Sequence, residues 1–138
     1  MKKVFAFFFV AASLALASSA QAQQFHVKAK IPFDFVIGTR AYTAGSYDVQ
    51  RVTTDALIVD NGSGKGRTMV NSLWCVSQDR AQHSVLIFHR IRGSYYLYQI
   101  WIQGNTIGRE FVLPKAETRL ARNEAKPEQV TVAATLVH

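Results

Sequence analysis

Phe88, Arg90, Arg92, Tyr95, Gln99 and Trp101 stand close together in one short stretch of the chain. Aromatic rings beside guanidinium groups stack on sugar faces by dispersion and hold anionic groups through charge-assisted hydrogen bonds. Strand alternation puts these six side chains on one face of a hairpin spanning Ser84 to Gly104. With Gly93 and Ser94 as a type II′ turn, Arg92 pairs with Tyr95, Arg90 with Leu97, Phe88 with Gln99 and Leu86 with Trp101. The opposite face pairs Ile91 with Tyr96, His89 with Tyr98, Ile87 with Ile100 and Val85 with Ile102, and reads as core. A turn at Arg92-Gly93 slides the pairing by two and keeps the same faces. The mixed face is read either as a second core layer with arginines at its rim, or as a binding surface for an anionic or carbohydrate ligand.

The remaining chemical residue types offer less. His83 and His89 share strand parity six positions apart, about 20 Å along a strand, which is beyond any shared metal. No zinc spacing occurs, so neither a metal site nor a cofactor is expected. His89 reads as a core histidine bonded to a tyrosine hydroxyl or a carbonyl. Cys75 is the single cysteine and has no neighbour in sequence that would lower its pKa. It reads as a small buried hydrophobe beside Trp74. Asp55, Asp60 and Asp79 fall at strand ends, where aspartate serves turns. Asp34, Asp48, Glu110 and Glu117 have no local pairing for acid–base work on a glycan. Gly64-Lys65-Gly66 is not a phosphate loop, because Ser or Thr must follow the lysine and no helix pattern comes next. Asn61-Gly62 reads instead as a hairpin turn.

These residues need a scaffold, and the amino terminus indicates where it works. Lys2 and Lys3, an apolar run from Val4 to Ala17 and Ala20-Gln21-Ala22 make a secretory signal peptide at residues 1–22. Cleavage after Ala22 is expected to leave one domain, 23–138, exported to the periplasm or the exterior. The formal charge of +7 falls to +5 without Lys2 and Lys3. That sign favours anionic envelope polymers or carbohydrate as partners. Export argues against nucleic acid, and no later segment is long and apolar enough to span a bilayer as a helix.

From Phe25 to Ile37 every odd position is apolar, the pattern of a long strand with one buried face. Pro32 makes it an edge strand there, or bends or breaks it, which leaves self-association through its edge open. Gly38 to Gly45 reads as a loop. Further strands are expected at Ser46–Val52, Ala56–Val59, Arg67–Val76 (buried on both sides), the two hairpin arms, Thr106–Leu113 and Val130–Leu136. Pro114 to Ala125 reads as one short helix or charged loop. Eight short strands joined by turns predict an all-β domain, an antiparallel sandwich or a small closed barrel.

Ile31–Gly38 (IPFDFVIG), Ala44–Val49 (AGSYDV), Phe88–Arg90 (FHR), Tyr95–Leu97 (YYL), Gln99 and Trp101 together resemble a family of small exported bacterial proteins of uncharacterised function. Thr43 stands where that family usually has proline, and Gly93 falls one residue later than its hairpin glycine. The resemblance implies no activity. The expectation is an exported, non-enzymatic binding or structural module of the bacterial envelope or extracellular space. The alternatives are a carrier holding a small apolar ligand inside a barrel, and a small hydrolase.

Overall fold

The computed structural model describes residues 25–115, 117–119 and 127–137. The expected signal peptide, its cleavage site and the charged residues 120–126 lie outside these. Within them the chain is all-β, with a short helix (α1, described at 115 and 117–119) before the last strand. The strands are β1 (His26–Ile31), β2 (Phe35–Ile37), β3 (Arg40–Tyr42), β4 (Gly45–Arg51), β5 (Ala56–Asp60) and β6 (Thr68–Asn71). They continue as β7 (Leu73–Val76), β8 (Val85–Ile91), β9 (Ser94–Trp101), β10 (Ile107–Glu110) and β11 (Glu128–Leu136).

One sheet, curled into a half-barrel, contains them all in the order β3-β2-β9-β8-β11-β1-β4-β5-β6. The free side of β9 is shared: β2 lies parallel to its first half at Tyr95 and Tyr96, and β10 antiparallel to its second half at Gln99 and Ile100. β7 lies beyond β10. Because β6 pairs with β5 and β7 with β10, the polypeptide at Ser72 joins two distant parts of the sheet. Tyr42 of β3 and Thr68 of β6 add a 2.6 Å hydrogen bond between the two ends of the order.

The alternation from Phe25 holds across a break. Val27, Ala29, Ile31, Phe35 and Ile37 are all buried, and β1 ends one residue before Pro32, whose missing N–H stops the ladder. β1 is therefore an inner strand between β4 and β11, not an edge. The stretch read as a loop, Gly38 to Gly45, contains β3. The expected Arg67–Val76 strand is split at Ser72, and Met69, Leu73, Trp74 and Val76 are exposed rather than buried. These two breaks and β3 turn eight expected strands into eleven. The link between β5 and β6 is also a longer loop than the tight Asn61-Gly62 hairpin expected, since Val59 already pairs with Thr68.

The central hairpin departs from its expected pairing in two ways. Its turn is Arg92-Gly93, with φ of 51° and 80°, and Ile91 pairs with Ser94. Two positive φ values mark a type I′ turn, whose twist matches that of the flanking strands. Gly93 has open space around it, so Gly93→Ala meets no clash, but at a φ of 80° an L side chain strains the backbone. The expected cost is about 1 kcal/mol, read from the denaturant midpoint.

The second departure is a bulge. Ile87 pairs with Gln99 but Phe88 with Leu97, which leaves Tyr98 as the extra residue. The bulge reverses which parity of β9 faces inward. Leu86 and Phe88 point into the core with Leu97 and, beyond the bulge, Ile100. The core therefore runs through the face expected to be mixed on β8, while on the opposite face Val85 and Ile87 are half-buried and His89 and Ile91 are buried. Phe88 sits in an aromatic group, edge-on to Phe33 at 5.0 Å and to Phe35 at 5.6 Å, and Phe35 in turn packs on Tyr42 and Tyr47.

Candidate functional site

The bulge at Tyr98 divides the six candidate residues among three places. Phe88 is fully buried in the core and presents nothing to a ligand. Arg90 and Tyr95 face each other near the hairpin turn, with the guanidinium carbon 5.7 Å from the Tyr95 ring centre. Tyr95 stacks on Phe33 at 3.9 Å, and Arg90 lies 3.5 Å from Glu128 on β11, so both side chains already have structural partners. Arg92 is exposed in the turn itself. Gln99 and Trp101 stand toward the far end of β9, about 13 Å and about 20 Å from Tyr95 at ordinary strand rise, on the outer surface.

The outer surface of β8, β9 and β10 holds a linked polar group. The Trp101 indole N–H donates to Gln99 Oε1 at 3.0 Å, and Gln99 Nε2 donates to Glu110 Oε1 at 3.2 Å. Glu110 also accepts the Tyr98 hydroxyl proton, and this bond, together with burial and the carboxylate charge, pushes Tyr98 up to about 12. His89 stacks on Tyr98 at 4.0 Å, with Gln129 Nε2 at 3.4 Å from its Nε2. The histidine is buried as expected, but it meets the Tyr98 ring and the Gln129 amide in place of the expected tyrosine hydroxyl or carbonyl. Burial lowers its pKa, and the Glu110 charge opposes this more weakly. Cys75 is pushed up by burial and by Glu110, so near pH 7 it remains a thiol. Tyr96 donates to Glu117 of α1 at 3.1 Å, which fixes the helix over this surface. A neutral histidine, a protonated thiol and a carboxylate engaged by Tyr98 and Gln99 make a structural network. It contains no activated nucleophile–base pair.

Beside this network the loop from Ser77 to His83 folds against the ends of β8 and β9. Between them lies an open depression of about 390 Å³ lined by Ser77, Asp79, Arg80, Gln82, His83, Val85 and Trp101. Arg80, Gln82 and His83 are exposed, and Trp101 is half-buried. Two anchors hold the loop: Ala81 N–H donates to the Asn105 carbonyl at 3.0 Å, and Gly104 N–H to the Ala81 carbonyl at 2.8 Å. The site thus combines one aromatic face with a guanidinium, an amide, an imidazole and a carboxylate. Two of the six sequence candidates belong to it, Trp101 directly and Gln99 through its hydrogen bond. Arg80, Gln82 and His83 were not singled out as binding residues, because only the folded loop brings them to Trp101.

Gly108 sets the height of the Trp101 ring. A Cβ at this position would lie 2.8 Å from the Ile100 carbonyl oxygen and 2.8 Å from the indole. The backbone oxygen cannot yield, so Gly108→Ala is expected to displace Trp101 and to cost about 1–3 kcal/mol. Thermal unfolding and the tryptophan emission maximum check both effects.

On the other side of β10, Arg109 is 4% exposed and donates to the Thr54 carbonyl. Its guanidinium carbon lies 5.8 Å from the Trp74 ring centre, and Trp74 Nε1 donates to the same carbonyl at 3.3 Å. This arrangement ties the β4–β5 turn to the β7–β10 pair. Among the described residues, no group of three or more His, Cys, Asp and Glu could hold a metal ion.

Comparison with family models, with curated proteins and with solved structures finds no match for the chain.

Proposed function

We propose that the protein is an exported, non-enzymatic binding module whose ligand is an anionic carbohydrate of the cell envelope or exterior. The ligand rests on Trp101 in the depression formed by the Ser77–His83 loop. The observation that carries this reading is the half-buried indole, held by Gln99, at the edge of an open depression with Arg80, Gln82 and His83 around it. An indole offers dispersion contact to the apolar face of a sugar, and Arg80 offers a planar donor fork to a carboxylate. A formal charge of +7 on the whole chain, +5 without Lys2 and Lys3, draws anionic polymers toward it. The signal-like residues 1–22 and the resemblance to small exported bacterial proteins agree with a role outside the cytoplasm.

The carrier alternative requires an unfilled interior, and the inward side chains of Phe35, Tyr42, Tyr47, Phe88, Leu97 and Ile100 belong to one packed cluster. The hydrolase alternative calls for a cleft with two carboxylates, or with a carboxylate and His89; the depression is lined by one carboxylate, Asp79, and Glu110 near His89 is engaged by Tyr98 and Gln99.

The test is calorimetric titration with a uronic-acid oligosaccharide, with a neutral glucan oligomer of equal length as control. The uronate is expected to bind and the neutral oligomer to bind at least tenfold more weakly. Trp101→Ala and Arg80→Ala are each expected to weaken uronate binding by about tenfold, equivalent to about 1.4 kcal/mol. Equal binding by both variants and the parent protein would remove the depression from consideration.

A further inference from the structure

Among the described residues β7 is an edge strand, paired on one side with β10 and touched on the other by the β4–β5 turn, at Ser72 and at the Trp74 indole. Ser77 N–H donates to Thr106 on the β10 side at 2.9 Å, and Ser72 N–H donates to Asp55 on the opposite side at 2.8 Å. Alternation of backbone direction between them sends the N–H and C=O groups of Leu73 and Cys75 toward β10. Those of Trp74 and Val76 point to the other side, where no other strand among the described residues pairs with β7. The edge is bounded at Ser72 by Asp55 and is open beyond it. Its side chains are exposed on both faces: Trp74 is 56% and Val76 75% exposed on one, and Leu73 is 55% exposed on the other. Val76 is paired with Ile107, itself 49% exposed, which widens the apolar surface. None of the usual guards of an edge strand, a lysine, a proline or an inward charge, occurs in Leu73-Trp74-Cys75-Val76.

We propose that β7 pairs with β7 of a second copy of this chain, antiparallel and centred on Cys75. A twofold axis at Cys75 puts Trp74 of each copy opposite Val76 of the other. Each such pair then exchanges two backbone hydrogen bonds, because these residues carry the free donors and acceptors. On one face the segment is self-complementary, Trp74 against Val76; on the other Cys75 meets Cys75 and Leu73 faces Ser77. The chain is strongly basic, so two copies repel over most of their surfaces, and Leu73–Val76 is a stretch where no like charges are brought together. The contact is short, at the small end of specific interfaces, so the dimer exchanges with monomer.

Cys75 supplies a direct readout. At the axis the two Cys75 residues form a non-hydrogen-bonded pair with Cα atoms about 4.5 Å apart, inside the range a disulfide spans. Sedimentation of the exported protein over a wide concentration range is expected to show a reversible dimer. Val76→Lys should weaken association at least tenfold. Val76→Pro, which removes a donor only from the open side, should do the same. Val76 is so exposed that neither variant threatens the core. Added copper–phenanthroline, as oxidant, is expected to cross-link Cys75 within the parent dimer and to do so at least tenfold more slowly in Val76→Lys. A monomer at the highest concentration reached, or a dimer that both variants leave intact, overturns the proposal. A dimer in which Cys75 fails to cross-link moves the axis away from Cys75 and overturns the stated register.

Discussion

Phe88→Ala is expected to lower the stability of the domain by about 3–5 kcal/mol, a large share of what a single domain has. Phe88 is fully buried, and two ring contacts, to Phe33 and Phe35, converge on it from the segment around the β1–β2 break. Truncation leaves a cavity lined by rings that cannot collapse without moving β2 off β9. The control is Ile87→Ala, one residue earlier on the outer, half-buried side of β8, with an expected loss of about 1–2 kcal/mol. Denaturant unfolding of the two variants side by side measures the difference. The reverse order, with Ile87 costlier than Phe88, would restore the hairpin faces read from alternation and remove the bulge at Tyr98.

The second large effect concerns Tyr98 and Glu110. Tyr98 is held at about 12, against about 10 for a tyrosine in an unfolded chain, first by its hydrogen bond to the Glu110 carboxylate and then by burial. Below pH 10 both states keep the phenolic proton and the stabilisation is present in full. As pH rises from 10 to 12 the unfolded chain releases the proton while the native state retains it, so stability falls. The loss is about 2 kcal/mol across this window. Tyr98→Phe is expected to flatten that part of the pH–stability curve. Phenolate absorbance gives an independent reading: Glu110→Gln should bring the Tyr98 transition down toward 10 by at least one pH unit. An unmoved transition in that variant would show that Glu110 does not hold the proton. Tyr96, raised mainly by burial and then by its bond to Glu117, serves as the internal reference, since Glu110→Gln leaves that bond in place.

The residues that carry the family resemblance have structural duties where their contacts are visible. Asp34 accepts the Ala44 N–H at 2.8 Å, tying the β1–β2 break to the start of β4, and the Tyr47 hydroxyl donates to the Thr43 carbonyl at 2.6 Å. Such contacts recur wherever the same turn must be built, and they say nothing about a ligand.

Strand alternation from Phe25 to Ile37 determined the buried side of β1 and β2, because every odd position contributes an apolar side chain and the period of a strand admits no other division. Turn chemistry placed most of the remaining strands, and the absence of any βα rhythm determined the all-β class. The candidate site was legible only in part. Trp101 and Gln99 were recognisable by type, but their separation from Arg90 and Tyr95 depends on one extra residue at Tyr98, and a bulge has no signature in local alternation. The break at Ser72 was equally hidden. It exists because β6 pairs with β5 while β7 pairs with β10, which is remote in sequence. Composition and periodicity are local properties of the chain and determined which residues are strands. Which strands share an edge, which loop meets Trp101 and which edge stays open were decided by long-range backbone pairing, which only the folded sheet contains.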